Sequence, residues 1–142
     1  MDVSAAALLV AAAALSSPGG FTVAAIGDVL PGETYERAIR AGRDPFRGIA
    51  PFLRSADLAL ANLEGPLTAR GRRVEGKRFT FRSPPARARM RADAGLDAVG
   101  LANNHIMDYG PAGLADTLAA LDAAGVARAG AGPDAAAARR PA

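Results

Sequence analysis

The sequence predicts an α/β fold built on a mostly parallel sheet, and three observations predict it. Short apolar runs of strand length alternate with longer stretches that carry helical spacing and helix-start residues. Turn signals rich in Gly and Pro separate them. The 142 residues suffice for one domain, which at such a size hides roughly 70% of its unfolded surface. Strands that alternate with helices need crossover connections, which favour parallel neighbours and right-handed turns.

The elements follow in order. After the break at Ser16-Ser17-Pro18-Gly19-Gly20, the β-branched run Phe21 to Ile26 predicts a buried first strand that ends in Gly27-Asp28. Gly32 and Gly42 bracket a polar, partly helical stretch. Asp44 and Pro45 suit the cap and first position of a helix with an apolar face of Ile49, Phe52 and Leu53, kinked at Pro51. Asp57 to Ala61 predicts the second strand, which runs into Asn62-Leu63-Glu64-Gly65-Pro66. Leu67 to Arg78 is polar and aperiodic, a loop or hairpin tip, and Phe79-Thr80-Phe81 is expected to pair as a short strand.

Pro84-Pro85 starts a helix that Gly95 ends. Ala98 to Ala102 is the third strand, and Asn103-Asn104-His105 follows it directly. Pro111 starts a helix through Ala124, with Leu114, Leu118 and Leu121 as its buried stripe and Asp108 placed to cap it. Gly125 closes that helix. Val126 to Ala129 is a fourth strand, and Asp134 to Arg140 a short last helix. The pattern is βαβαβαβ with a trailing helix.

Ahead of the domain, Ala5 to Leu15 is an unbroken apolar run. It is too short for a membrane span, which needs about 20 residues, and has the length of a signal-peptide core. Small residues would allow cleavage after Ser16, although Asp2 stands where basic residues are usual. The expected organisation is a signal peptide and linker over 1–20 and one domain over 21–142, in a protein that is exported or membrane-associated.

Composition excludes some chemistry. There is no Cys, so disulfides, thiolate zinc sites and cysteine nucleophiles are ruled out. The net charge of +3 is carried by Arg, with Lys77 the single lysine. Nine of the 17 basic residues lie between Arg70 and Arg91 beside one acid, Glu75. Such a stretch could attract an anionic polymer or a phosphoester, or could be a solvated loop and helix face. Nucleic acid is not expected, since neither a helix-turn-helix pattern nor an aromatic stacking platform is present.

Three successive strand ends carry polar groups: Asp28 on the first, Asn62 and Glu64 on the second, and Asn103, Asn104 and His105 on the third. Ligands of open α/β sheets bind outside the carboxyl ends of the strands. Carboxylates, carboxamides and an imidazole together suit a divalent cation such as Mn, Mg, Fe or Zn. His105, the only histidine, could protonate a leaving group there. Each residue also has a plainer reading: Asp28 as a turn cap, Glu64 as a loop acid, His105 as a histidine satisfied by Asp108.

The motifs Ile26-Gly27-Asp28-Val29-Leu30, Asn62-Leu63-Glu64-Gly65-Pro66-Leu67-Thr68, Phe81-Arg82-Ser83-Pro84-Pro85, Leu101-Ala102-Asn103-Asn104-His105 with Asp108-Tyr109-Gly110, and Gly130-Ala131-Gly132 resemble, in order and spacing, those of the CapA family. These are the bacterial poly-γ-glutamate capsule synthesis (PGA_cap) proteins. The resemblance covers Phe21 to Pro141. It implies a calcineurin-like metallophosphatase fold, of which this chain would carry the N-terminal half. It also implies a metal site, with Asp28, Glu64, Asn104 and His105 as ligands and His105 assisting the chemistry, supported by Asn62, Asn103 and Asp108. Two positions depart from the pattern. Pro31 follows Leu30 where Leu and Gly are more usual, and Leu30 stands where superfamily phosphatases place a second histidine.

The resemblance further implies work at the cell envelope, in a capsule-synthesis complex, on an anionic polymer or phosphoester. The activity expected is metal-dependent hydrolysis or transfer, provided that further histidines complete the site. The alternatives are a non-catalytic accessory protein that binds a polyanion, and an inactive fragment.

Overall fold

A computed structural model describes residues 19–142. The expected signal peptide, with its run Ala5 to Leu15, lies outside the described residues. The strands are β1 (Val23–Val29), β2 (Leu58–Leu63), β3 (Ala98–Gly100) and β4 (Ala127–Ala129), and the helices are α1 (Glu33–Arg40), α2 (Ala50–Leu53), α3 (Arg87–Ala94), α4 (Gly110–Ala124) and α5 (Ala135–Ala138). All strand pairings are parallel, in the order β1-β2-β3-β4. The sheet grows by one strand at each step in one direction. Right-handed crossovers therefore set the connecting helices on one face, where α2 packs on α3 and α3 on α4.

The core lies between that sheet face and the helices. Ala24 and Ala59 are register partners, as are Ala61 and Val99, and all four are buried. Leu53, Ala88, Ala94 and Leu121 meet them from the helices. The small strand side chains let the helices approach closely, and Leu53, Leu63, Leu101 and Leu121 supply most of the volume. Among the described residues no helix is long and apolar enough to cross a membrane.

Several expectations are corrected. Phe79-Thr80-Phe81 forms no strand, because the Phe81 N–H is taken by the Asp108 carboxylate (2.7 Å); only an isolated bridge joins Leu67 to Ser83. The helix expected from Asp44 begins only at Ala50: the Asp44 carboxylate accepts the Phe46 N–H (2.9 Å), which favours turns up to that point. Asp108 does not cap α4, whose N-cap is Tyr109 without a side-chain hydrogen bond. On α4 Leu121 of the expected stripe is fully buried and Leu114 and Leu118 pack partly buried against the core, but Gly113 and Thr117 lie deeper than those two. Thr117 Oγ1 accepts the Leu67 N–H (2.8 Å) and donates to the Gly113 carbonyl (2.7 Å), so its polar atom is satisfied inside.

The basic stretch is not uniformly solvated either. Arg91 is fully buried, with its guanidinium 5.5 Å from the centre of the Tyr35 ring and Nη1 donating to the Arg87 carbonyl (2.8 Å). Arg87 holds the buried Glu36 through both carboxylate oxygens (3.0 and 2.8 Å), tying α3 to α1.

Burial alone would raise the Glu36 pKa, but the Arg87 hydrogen bonds outweigh it and hold the value below the usual glutamate range. A carboxylate depressed in the folded state adds stability above its unfolded pKa and loses it as pH falls through the folded one. Glu36→Gln is expected to cost about 2 kcal/mol near neutral pH, and the gap from wild type should close on acidification. Urea midpoints measured from pH 7 down to pH 3 check this, and a pH-independent gap would refute it.

Candidate metal centre

The site is assembled by strand register. Val23 to Ala25 pair with Leu58 to Leu60, but beyond an irregularity in β1 it is Asp28, not Gly27, that stands beside Asn62. One extra residue in β1 therefore places Asp28 on the same face as Asn62, since a one-residue slip exchanges sheet faces. Asn62 is in turn the register partner of Gly100, just before the histidine turn.

Carboxamides then connect the strand ends. Asn62 Nδ2 donates to Asp28 Oδ1 (2.8 Å) and to Glu64 Oε2. Asn103 Nδ2 donates to Asn62 Oδ1 (3.0 Å) and to the Leu63 carbonyl (2.8 Å). Its Oδ1 accepts the N–H groups of His105 (3.0 Å) and Ile106 (2.9 Å). Asn103 is thus a bracket that fixes the turn bearing His105. The side chain of Asn104 is exposed, and the residue joins the network through its carbonyl, which accepts from Lys77.

His105 is held on two sides. Its ring lies 4.5 Å from that of Phe81, and its Nδ1 is 2.8 Å from Asp108 Oδ2. Burial opposes the charge on Asp108, which is fully inaccessible. Hydrogen bonds from Lys77, His105 and the Phe81 N–H outweigh that cost and hold its pKa below the usual aspartate range. An ionised carboxylate only accepts, so Nδ1 carries the proton and donates. In the neutral ring Nε2 then keeps its lone pair, and it lies 4.0 Å from Glu64 Oε1.

Lys77 and Phe81 also belong to this centre, through contacts that no local sequence pattern signals. Lys77 Nζ pairs with Asp108 Oδ1 and donates to the Asn104 carbonyl, and the Val74 N–H donates to the Asp108 carbonyl (2.9 Å). The loop after β2 is therefore wrapped over the histidine turn. The one available signal was compositional: a single lysine in a chain otherwise basic through arginine.

The Asp28 and Glu64 carboxylates and an imidazole whose second nitrogen is fixed by a carboxylate have the chemistry of a hard or borderline cation site, while the Asn62 and Asn103 carboxamide oxygens are already taken as hydrogen-bond acceptors. Among the described residues no three His, Asp or Glu side chains form a ready cation cluster. The Asn62 NH₂ group, donating to both Asp28 and Glu64, occupies the place where positive charge is wanted.

Residues 22–142 match the family described as bacterial capsule synthesis protein PGA_cap. The chain belongs to the PGA_cap family. That match runs from the residue before β1 to the end of the chain and includes every residue of the centre. The PGA_cap proteins belong to a metallophosphatase-like fold family, in keeping with the α/β architecture and parallel sheet found here. The chain is 42% identical over 86 residues to a probable polyglutamine synthesis accessory protein of Mycobacterium tuberculosis, covering 61% of this chain and 23% of the relative. It is 29% identical over 116 residues to the capsule biosynthesis protein CapA of Bacillus anthracis, covering 78% and 28%. It is also 29% identical over 96 residues to the PGA biosynthesis protein CapA of Bacillus subtilis, covering 66% and 25%. This PGA_cap chain thus spans about a quarter of the length of these curated relatives.

Proposed function

We propose that this chain serves capsule or polyglutamate synthesis at the bacterial cell envelope, and that its strand ends form a divalent-metal centre for hydrolysis or transfer at a phosphoester or γ-glutamyl bond. The observation that carries this reading is the Asp108–His105 pair, which leaves Nε2 free and turned toward Glu64, beside Asp28 and the carboxamides. Asp28, Glu64 and His105 would hold the cation, with Asn104 joining them as the family pattern implies. When bound, a divalent cation polarises an attached oxygen and lowers the pKa of a bound water to about 7. The chain's own residues do the rest. Asn62 and Asn103 keep the two strand ends in register, and Asp108 holds the Nδ1 proton so that the Nε2 lone pair faces the place the cation would take.

The test is metal content after reconstitution with Mn or Zn and removal of free ion. Wild type is expected to retain metal, and Asp28→Ala, Glu64→Ala and His105→Ala each to lose more affinity than the roughly 10–100-fold that removal of a residue supporting a ligand costs. Unchanged metal content in all three would overturn the assignment.

A second reading is a non-catalytic accessory that guides an anionic polymer, and the exposed arginines 72, 73 and 78 favour it. Polymer binding that is strongly salt-dependent and survives His105→Ala would select it.

A further inference from the structure

We propose that the cavity between α1 and the segment Thr80 to Pro84 is a carboxylate-binding subsite, in which Arg40 and Arg82 hold one carboxylate of a polycarboxylate chain. The cavity has a volume of about 520 Å³ and is lined by Gly32, Glu33, Glu36, Arg40, Thr80 and Arg82, among others, with Tyr109 at its wall. Its choice of ligand rests on the proposed role in synthesis of an anionic polymer; it does not depend on the metal.

Four observations carry the argument. First, among the described residues neither Arg40 nor Arg82 forms an ion pair, although both are exposed at the same cavity. Second, Arg82 is already positioned: its guanidinium lies over the Tyr109 ring, 4.5 Å from the centroid. A guanidinium on an aromatic face keeps its N–H edge available and loses less freedom when it binds a carboxylate.

Third, the charge balance suits a single negative charge. Glu36 is neutralised by Arg87, which leaves Glu33 against Arg40 and Arg82, a net of one positive charge. A dianionic phosphate would meet the repulsion of Glu33 without a third free cation. Fourth, the cavity adjoins the candidate centre. Gly32 backs onto Phe81, where a Cβ would lie 3.5 Å from Phe81 Cδ1, and the Phe81 ring packs against that of His105 at a tilt of 51°. Tyr109 follows Asp108 directly. A polymer anchored here would pass close to His105.

The test is titration of the full chain, without added metal, with a short poly-γ-glutamate oligomer, followed by amide NMR shifts. Shifts are expected at Gly32, Thr80, Arg82 and Tyr109. Arg40→Gln with Arg82→Gln should weaken binding about tenfold or more, the loss of two charge-assisted contacts. Glu33→Gln should act in the opposite direction and tighten it. These side chains are exposed, so folding is not at stake. Shifts confined to Arg72–Lys77, an unchanged affinity in the double variant, or tighter binding of inorganic phosphate at the same residues would each overturn the proposal. Metal loss in the variants of Asp28, Glu64 and His105 is read separately, so the subsite and the metal centre can fail independently.

Discussion

Asp108→Asn is expected to destabilise the fold by about 3 kcal/mol, the range for breaking a buried ion pair from one side. Asp108 is fully buried, and three partners converge on it: Lys77 on one oxygen, His105 Nδ1 and the Phe81 N–H on the other. An asparagine carbonyl can keep the Phe81 and His105 contacts, but its NH₂ group then faces the Lys77 ammonium, donor against donor. Lys77 keeps some access to water, which limits the loss. A lower urea midpoint with an unchanged slope would show it. The double variant with Lys77→Met should fall short of additivity, because both changes break one contact. Additive effects would mean that Asp108 is not the hub described here.

That hub shows how far the sequence was legible. The four strands of the sheet, its parallel character and the glycine stops at Gly95 and Gly125 follow from periodicity and helix-end chemistry, which act within a few residues, whereas the strand expected at Phe79-Thr80-Phe81 does not form. The convergence of Asp28, Asn62, Glu64 and the histidine turn also followed, because parallel neighbours must bring their carboxyl ends to one edge. Contacts made across long sequence separations were less legible. Asp108 looked like a helix cap because only its neighbours in sequence were visible, yet its partners Lys77 and Phe81 lie 31 and 27 residues away. The extra residue in β1 that turns Asp28 beside Asn62 leaves no mark on local hydrophobicity. Apolar periodicity on α4 gives no weight to Thr117, because it does not count a hydroxyl that the Leu67 N–H satisfies.

Gly71→Ala is expected to cost about 3 kcal/mol, as the sum of a left-handed backbone and a steric clash. Gly71 has φ +81°, and an added Cβ would lie 2.1 Å from the Tyr109 carbonyl oxygen. That oxygen is backbone at the end of the histidine turn and cannot rotate away as a side chain would. The loop must then lift from the turn, carrying with it the Val74 N–H bond to Asp108. Gly76 supplies the control: its φ is +76°, but nothing lies within 4 Å of its would-be Cβ. Gly76→Ala should therefore show only the backbone cost, about 1 kcal/mol. Faster hydrogen exchange at Val74 and Phe81 in the Gly71 variant alone would mark the loss of the wrap over His105. Equal costs in the two variants would show that the loop is not seated on the turn, and that His105 owes its orientation to Asn103 and Asp108 without it.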